Sequence, residues 1–192
     1  MDWEDRYITN STPWDKGTAS PPLLAYLARH PVSGRVLLPG CGRGHDVAAV
    51  ATFTPTIIGL DISETAIRRA KETYPDLAGS FWVGDLFALP AGHAGTFDAI
   101  VEHTCLCALP PAMREAYRAA VTLLLKPGGI LIGVWFINPE MDPGEEGPPY
   151  GISLDELSGL FQDSFEVIED YTPQEAYEGR EGRERLRVLR KR

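Results

Sequence analysis

A short apolar run at residues 35–39 enters the glycine-rich turn Gly40-Cys41-Gly42-Arg43-Gly44 and leaves it in a helical segment carrying Val47 and Val50. This strand, turn and helix form one unit, and the rest of the chain repeats the alternation. Residues 56–60 predict a second buried strand that ends at Asp61. Residues 63–74 predict a helix with Ala66, Ile67 and Ala70 on one face and Pro75 as its stop. Short strands follow at 80–83 and 97–101, both ending in polar residues. Met113, Ala116, Tyr117, Ala120, Val121 and Leu124 then keep a helical three-and-four spacing up to Lys126-Pro127-Gly128-Gly129. Residues 130–136 suit a central strand, Ser153-Leu154-Asp155-Glu156 reads as a capping box, and 165–171 and 185–189 read as closing strands. The pattern predicts an α/β fold of the doubly wound, Rossmann-like kind, with a mainly parallel seven-stranded sheet and an antiparallel edge strand. Leu186 and Val188 alternate with arginines, as expected of a half-buried edge strand with a solvated charged face.

Ser20-Pro21 marks a helix start, with Leu23, Leu24 and Leu27 on one face, so residues 1–20 are expected to precede the first helix as a lid segment. A second lid or crossover loop is expected at 138–150, which carries Pro139, Pro143, Gly144, Gly147, Pro148 and Pro149. A length of 192 residues with 44% hydrophobic content suits a single domain spanning 1–192. The longest apolar stretches, such as 129–137, are too short to span a bilayer, and Met1 leads into Asp2, Glu4 and Asp5, unlike a signal peptide. Cys41, Cys105 and Cys107 form no spaced framework, so the expected location is the cytoplasm, where the sequon Asn10-Ser11-Thr12 has no use. A net charge of −9 argues against nucleic-acid partners, and the arginines from Arg180 onward fit the strand pattern better than a binding patch. No membrane partner is expected, and the oligomeric state is left open.

In an open parallel sheet, ligands bind beyond the carboxyl ends of the central strands. Here those ends carry the 40–44 turn, Asp61, Gly84-Asp85 and Glu102-His103-Thr104. Glycines bring bare N–H groups close to a ligand, and an acid about twenty residues on can accept ribose hydroxyls, which is where Asp61 stands. Alone, each feature has a plain reading: a tight turn, a helix-terminal charge, a loop acid. His45 replaces the third glycine of the dinucleotide fingerprint, which disfavours a nicotinamide cofactor. Glycine turn, acid after the second strand, acid after the third, and Leu125-Lys126-Pro127-Gly128-Gly129 before the fifth make up the organisation of S-adenosylmethionine-dependent methyltransferases.

Leu38-Pro39-Gly40-Cys41-Gly42 and Gly59-Leu60-Asp61-Ile62-Ser63 resemble the thiopurine S-methyltransferase superfamily. Together with Trp3, Thr12-Pro13-Trp14-Asp15, Gly147-Pro148-Pro149-Tyr150 and the basic C-terminal strand, they are most similar to its halide and thiol (thiocyanate) methyltransferase branch. The resemblance implies that Gly40, Gly42, Asp61 and Asp85 contact S-adenosylmethionine, with His103 at the same site, while Trp3, Tyr7 and Trp14 close over it. Tyr7 stands where that branch commonly has tryptophan, and Glu102-His103 where relatives carry aspartate followed by tyrosine or arginine. Aromatic faces suit a sulfonium cation and exclude water.

The expected function is methyl transfer by in-line displacement to a small soft nucleophile, a thiol, hydrosulfide, thiocyanate or halide. No catalytic residue is assigned; His103 is a candidate for the acceptor pocket. Alternatives are a small-molecule O- or N-methyltransferase using Glu102 or His103 as base, a non-catalytic adenosine-nucleotide sensor, or a nicotinamide enzyme. Cys105-x-Cys107 lacks two further ligands, so no metal is expected.

Overall fold

The computed structural model describes residues 1–137, 139 and 147–192. Seven strands form one sheet: β1 (Val36–Pro39), β2 (Ile57–Asp61), β3 (Phe81–Val83), β4 (Phe97–His103), β5 (Leu125–Phe136), β6 (Phe165–Tyr171) and β7 (Glu184–Lys191). Their order is β3-β2-β1-β4-β5-β7-β6. The first five strands run parallel, and β7 is antiparallel to both of its neighbours, β5 and β6. The predicted mainly parallel, seven-stranded sheet is therefore present.

Among the described residues six α-helices cover it: α1 (Trp3–Ile8), α2 (Pro21–Arg29), α3 (His45–Ala51), α4 (Glu64–Thr73), α5 (Arg114–Leu124) and α6 (Leu154–Phe161). One core packs Leu23 and Leu27 of α2, Val47 and Val50 of α3, and Ile67 and Ala70 of α4 against Val36 and Leu38. The other packs Tyr117, Val121 and Leu124 of α5 and Leu157, Leu160 and Phe161 of α6 against Leu37 and Ile100. Successive strand residues face opposite cores, as the two-residue period requires.

Three expectations change. Residues before Pro21 are not irregular: Trp3–Ile8 is helical, capped by Asp2, whose side chain accepts the Asp5 N–H. A six-residue helix is too short to show a hydrophobic period, and its own Glu4 fastens it to Ser63 and Thr65. The basic C-terminal strand is not an edge. β7 lies between β5 and β6, so the edge strand is β6. Arg187 is only 4% exposed and pairs with Asp170 of β6 at 3.0 Å. Arginine stems can flank a buried strand when a neighbouring strand supplies the counter-charge. Finally, β5 begins at Leu125, opposite Phe97, so 126–129 belongs to the strand it was expected to precede. The capping box at Ser153 is present, with both reciprocal bonds. Most of the expected 138–150 loop lies outside the described residues; Pro148, Pro149 and Tyr150 are described and line the cleft.

Candidate active site

Strand order reverses between β1 and β4, and the carboxyl ends of the strands there open into a cleft of about 600 Å³. Trp3, Tyr7, Trp14, Gly40, Gly42, Asp61, Asp85 and His103 all line it, so the fold brings every residue expected at the cofactor site to one place.

The β1 turn is built by positive φ. Gly42 sits at φ +52°, and a Cβ there would lie 2.7 Å from the Tyr7 hydroxyl. Asp61 Oδ2 accepts the Gly42 N–H at 2.8 Å, and Oδ1 accepts the Ser63 N–H at 2.9 Å. Each oxygen keeps a further acceptor position. Burial raises the Asp61 pKa against these amides, so additional hydroxyl donors would offset a cost already present. Asp85 caps the next turn by accepting the Phe87 N–H at 2.9 Å. This cradle, a glycine turn beside a buried carboxylate with acceptor capacity left, fits the ribose of an adenosyl cofactor.

The N-terminal segment forms the opposite wall. Trp14 meets Trp3 and Tyr7 edge-on at 5.5 and 6.0 Å, and its indole N–H donates to the Tyr7 hydroxyl at 3.4 Å. Two carboxylates fasten this wall. Glu4 accepts the hydroxyls of Ser63 and Thr65, each at 2.5 Å, and the Thr65 N–H at 3.1 Å, at the start of α4. These bonds, that of Ser63 foremost, hold its carboxyl below the usual range. Asp15 lies 2.9 Å from Arg43 and 3.2 Å from His45.

At the end of β4, His103 belongs to the strand and not to a loop. Its Nδ1–H donates to Asp46 at 2.8 Å, while Nε2 lies 3.7 Å from Glu184 and 3.3 Å from Arg180. Burial alone would lower its pKa, but Asp46 and Glu184 outweigh burial and raise it to about 9. Burial also opposes the Asp46 charge, yet His103 holds that carboxyl below its ordinary value. Arg180 donates to Glu184 at 3.2 Å, with its guanidinium 5.1 Å from the Phe136 ring and 5.4 Å from the Tyr177 ring. Asp46 and Glu184 thus favour the imidazolium form of His103 within a cluster of four ionisable groups. Glu102 is 1% exposed and does not line the cleft. Glu102 lies behind the cleft, and the carboxylates around His103 favour its protonated form, which disfavours either residue as base.

Sequence reasoning missed Asp15, Asp46, Tyr177, Arg180 and Glu184. Glu184 left a signal, because it shares the inward phase of β7 with Leu186 and Val188, where a charge requires a buried partner. Asp46 reads only as an acid in the first turn of a helix. Among the described residues no group of three or more His, Cys, Asp or Glu side chains could hold a metal ion, and no helix is long and apolar enough to cross a membrane.

The family described as Thiopurine S-methyltransferase (TPMT) matches residues 1–191. The chain is 36% identical over 191 residues to probable thiol methyltransferase 2 of Arabidopsis thaliana, covering 96% of this chain and 82% of that protein. It is 34% identical over 192 residues to thiocyanate methyltransferase 1 of the same plant, again with 96% and 82% covered. Its fold is similar to that of 1,6-didemethyltoxoflavin-N1-methyltransferase from Burkholderia thailandensis, solved with S-adenosylhomocysteine bound. There the TM-score is 0.74 at 20% identity, with 97% of this chain and 84% of that one covered.

Proposed function

The chain belongs to the thiopurine S-methyltransferase family and is an S-adenosylmethionine-dependent methyltransferase; from that premise we propose that its acceptor is a small soft nucleophile, a thiol, hydrosulfide, thiocyanate or halide. The observation that carries this reading is that, among the described residues, both histidines facing the cleft are engaged by carboxylates. His103 is held as a cation, and His45 has its Nδ1 against the Tyr74 hydroxyl at 2.7 Å and its Nε2 against Asp15. Asp15 and Asp46 are held ionised below the usual carboxylate range, Asp15 mainly by its bond from His45. Their poor basicity suits nucleophiles that arrive already charged.

The cofactor supplies an activated methyl group on a sulfonium. In this reading Asp61 receives the ribose hydroxyls, Asp85 the exocyclic amine, and the Gly40 and Gly42 backbone lies against the donor. Trp3, Tyr7 and Trp14 present ring faces and edges to a cation and keep water from the reacting centre, so residues 1–20 act as a lid over a single domain. Rate then comes from alignment and desolvation, with no proton to move. A dry aromatic wall strips water from a polarisable anion more easily than from a hard one, so iodide and thiocyanate should outperform chloride. The plant relatives named for thiol and thiocyanate substrates support the same class. Three free thiols, Cys41, Cys105 and Cys107, are in keeping with a reducing compartment, the cytoplasm.

The test is a panel of iodide, thiocyanate, hydrosulfide, small thiols, phenols and amines, scored by release of the demethylated cofactor. Turnover of the soft acceptors is expected, with thiol rates rising through each thiol's own pKa. Turnover restricted to phenols or amines overturns the reading.

A further inference from the structure

The chemistry above leaves a buried carboxyl group unused, that of Glu102. Its side chain lies on the α5 side of β4, behind the cleft that His103 faces. Oε1 accepts the Cys105 N–H at 3.0 Å and the Leu106 N–H at 3.4 Å. Those amides open a single 3-10 turn, Leu106–Ala108. The chain enters the turn through Thr104 at φ +63°, a left-handed conformation that a β-branched residue adopts only when its surroundings impose it. Thr104, Cys105, Cys107 and Leu109 form this wall of the cleft, and the Cys107 carbonyl accepts the Tyr150 N–H at 2.7 Å, which ties in a second wall segment.

We propose that Glu102 is a positioning residue for the methyl acceptor: its carboxyl group holds the amides of Cys105 and Leu106 and thereby sets where the 104–109 wall stands. This rests on reading that side of the cleft as the acceptor side. Glu102 touches neither cofactor nor acceptor and acts through the backbone it holds.

The groups facing it are His103 on its own strand, Cys105 and Cys107 on the turn, and Tyr117 on α5. Burial raises the Glu102 pKa to about 7, against the two amides and His103, which favour the charge. Burial keeps both thiols and the Tyr117 phenol neutral across that range. Above pH 7 the two N–H bonds are charge-assisted and the wall is firm; below it a neutral acid holds them more weakly. Global stability runs the other way. The folded state binds this proton more tightly than the unfolded chain, so stability present below the unfolded carboxyl pKa is lost as pH rises through about 7. The Tyr117 hydroxyl, buried beside the Glu102 carboxyl, also favours the charge, but less than burial opposes it.

The experiment compares wild type with Glu102→Gln, which keeps an acceptor oxygen but cannot ionise, and with Glu102→Ala. Thiocyanate and iodide carry no proton near neutrality, so a pH step reports the protein. Wild-type kcat/KM for these acceptors should rise about three- to tenfold between pH 6 and 8, chiefly through KM. Glu102→Gln should give a flat profile at the lower level, with the S-adenosylhomocysteine Kd changed by less than about twofold and a Tm at pH 8 no lower than wild type. A step that persists in Glu102→Gln, or a Kd that moves as much as the acceptor KM, overturns the proposal. Hydrogen exchange at Cys105 and Leu106 in the S-adenosylhomocysteine complex judges the same point without any acceptor. Exchange unchanged in Glu102→Ala overturns the proposal even if the soft-acceptor reading stands, and faster exchange supports it even if that reading fails.

Discussion

The two halves of the cleft are built on different principles. At the ends of β1 and β2, backbone does the work: the glycine turn lets the chain pass close by, and the Asp61 carboxylate is anchored by the Gly42 and Ser63 amides. At the ends of β4 and β7, side-chain charge does it: Asp46, His103, Glu184 and Arg180 form a cluster whose members come from α3, β4, β7 and the segment before β7. The first half can be filled or emptied by a ligand with little effect on the fold. The second is part of the fold, because removing one member leaves others buried and unpaired. A binding site made of local backbone is separable from stability; one made of a long-range ion cluster is not.

The sharpest way to break that contrast is His103→Ala. It takes from Asp46 its cationic partner, while Glu184 keeps Arg180, so we expect about 3 to 5 kcal/mol of lost stability by denaturant unfolding. In wild type the His103 contribution is fully present below the unfolded imidazole pKa of about 6.5 and is lost as pH rises through about 9. A variant as stable as wild type would place the cluster with the separable half.

Asp61→Ala comes next and should show the opposite behaviour. Two lost hydroxyl contacts predict about 1 to 3 kcal/mol weaker S-adenosylhomocysteine binding by calorimetry, with a smaller change in Tm. An unchanged Kd in a folded protein would remove Asp61 from the cofactor site.

The smallest effect belongs to the aromatic wall. Trp14→Ala removes two edge-on contacts and should weaken cofactor binding by about 1 kcal/mol. Hydrogen exchange over residues 3–14 should slow on cofactor binding in wild type and respond less in the variant. Equal protection with and without cofactor in wild type would count against a lid, and would show that the Glu4 and Asp15 contacts alone hold the segment.

The separable half is also the half that could be read in advance. Gly40, Gly42 and Asp61 lie within one strand-turn-helix-strand unit, where periodicity, φ preference and the spacing to the next acid are all local. Asp85 follows from the same counting. The charge cluster was not legible because its partners are separated by up to 138 positions, as Asp46 and Glu184 are. A strand carries no mark of which distant strand will supply its counter-charge.

By itself the sequence determined the alternation of strands and helices, the two-faced core and the ligand end of the sheet, because these follow from side-chain period and turn chemistry. The S-adenosylmethionine cradle follows from the same local rules, and the family resemblance drew on motifs of the same kind. Only the tertiary structure decided that β7 runs inside the sheet, that Trp3–Ile8 is a helix fastened by Glu4, and that Glu102 and His103, adjacent in the chain, face opposite sides of it. The reason is common to all three. Each depends on a partner far away in sequence, and whether a charged group ends up as a buried ion pair, a strut behind a wall or a solvated surface is fixed by burial, which no local pattern encodes.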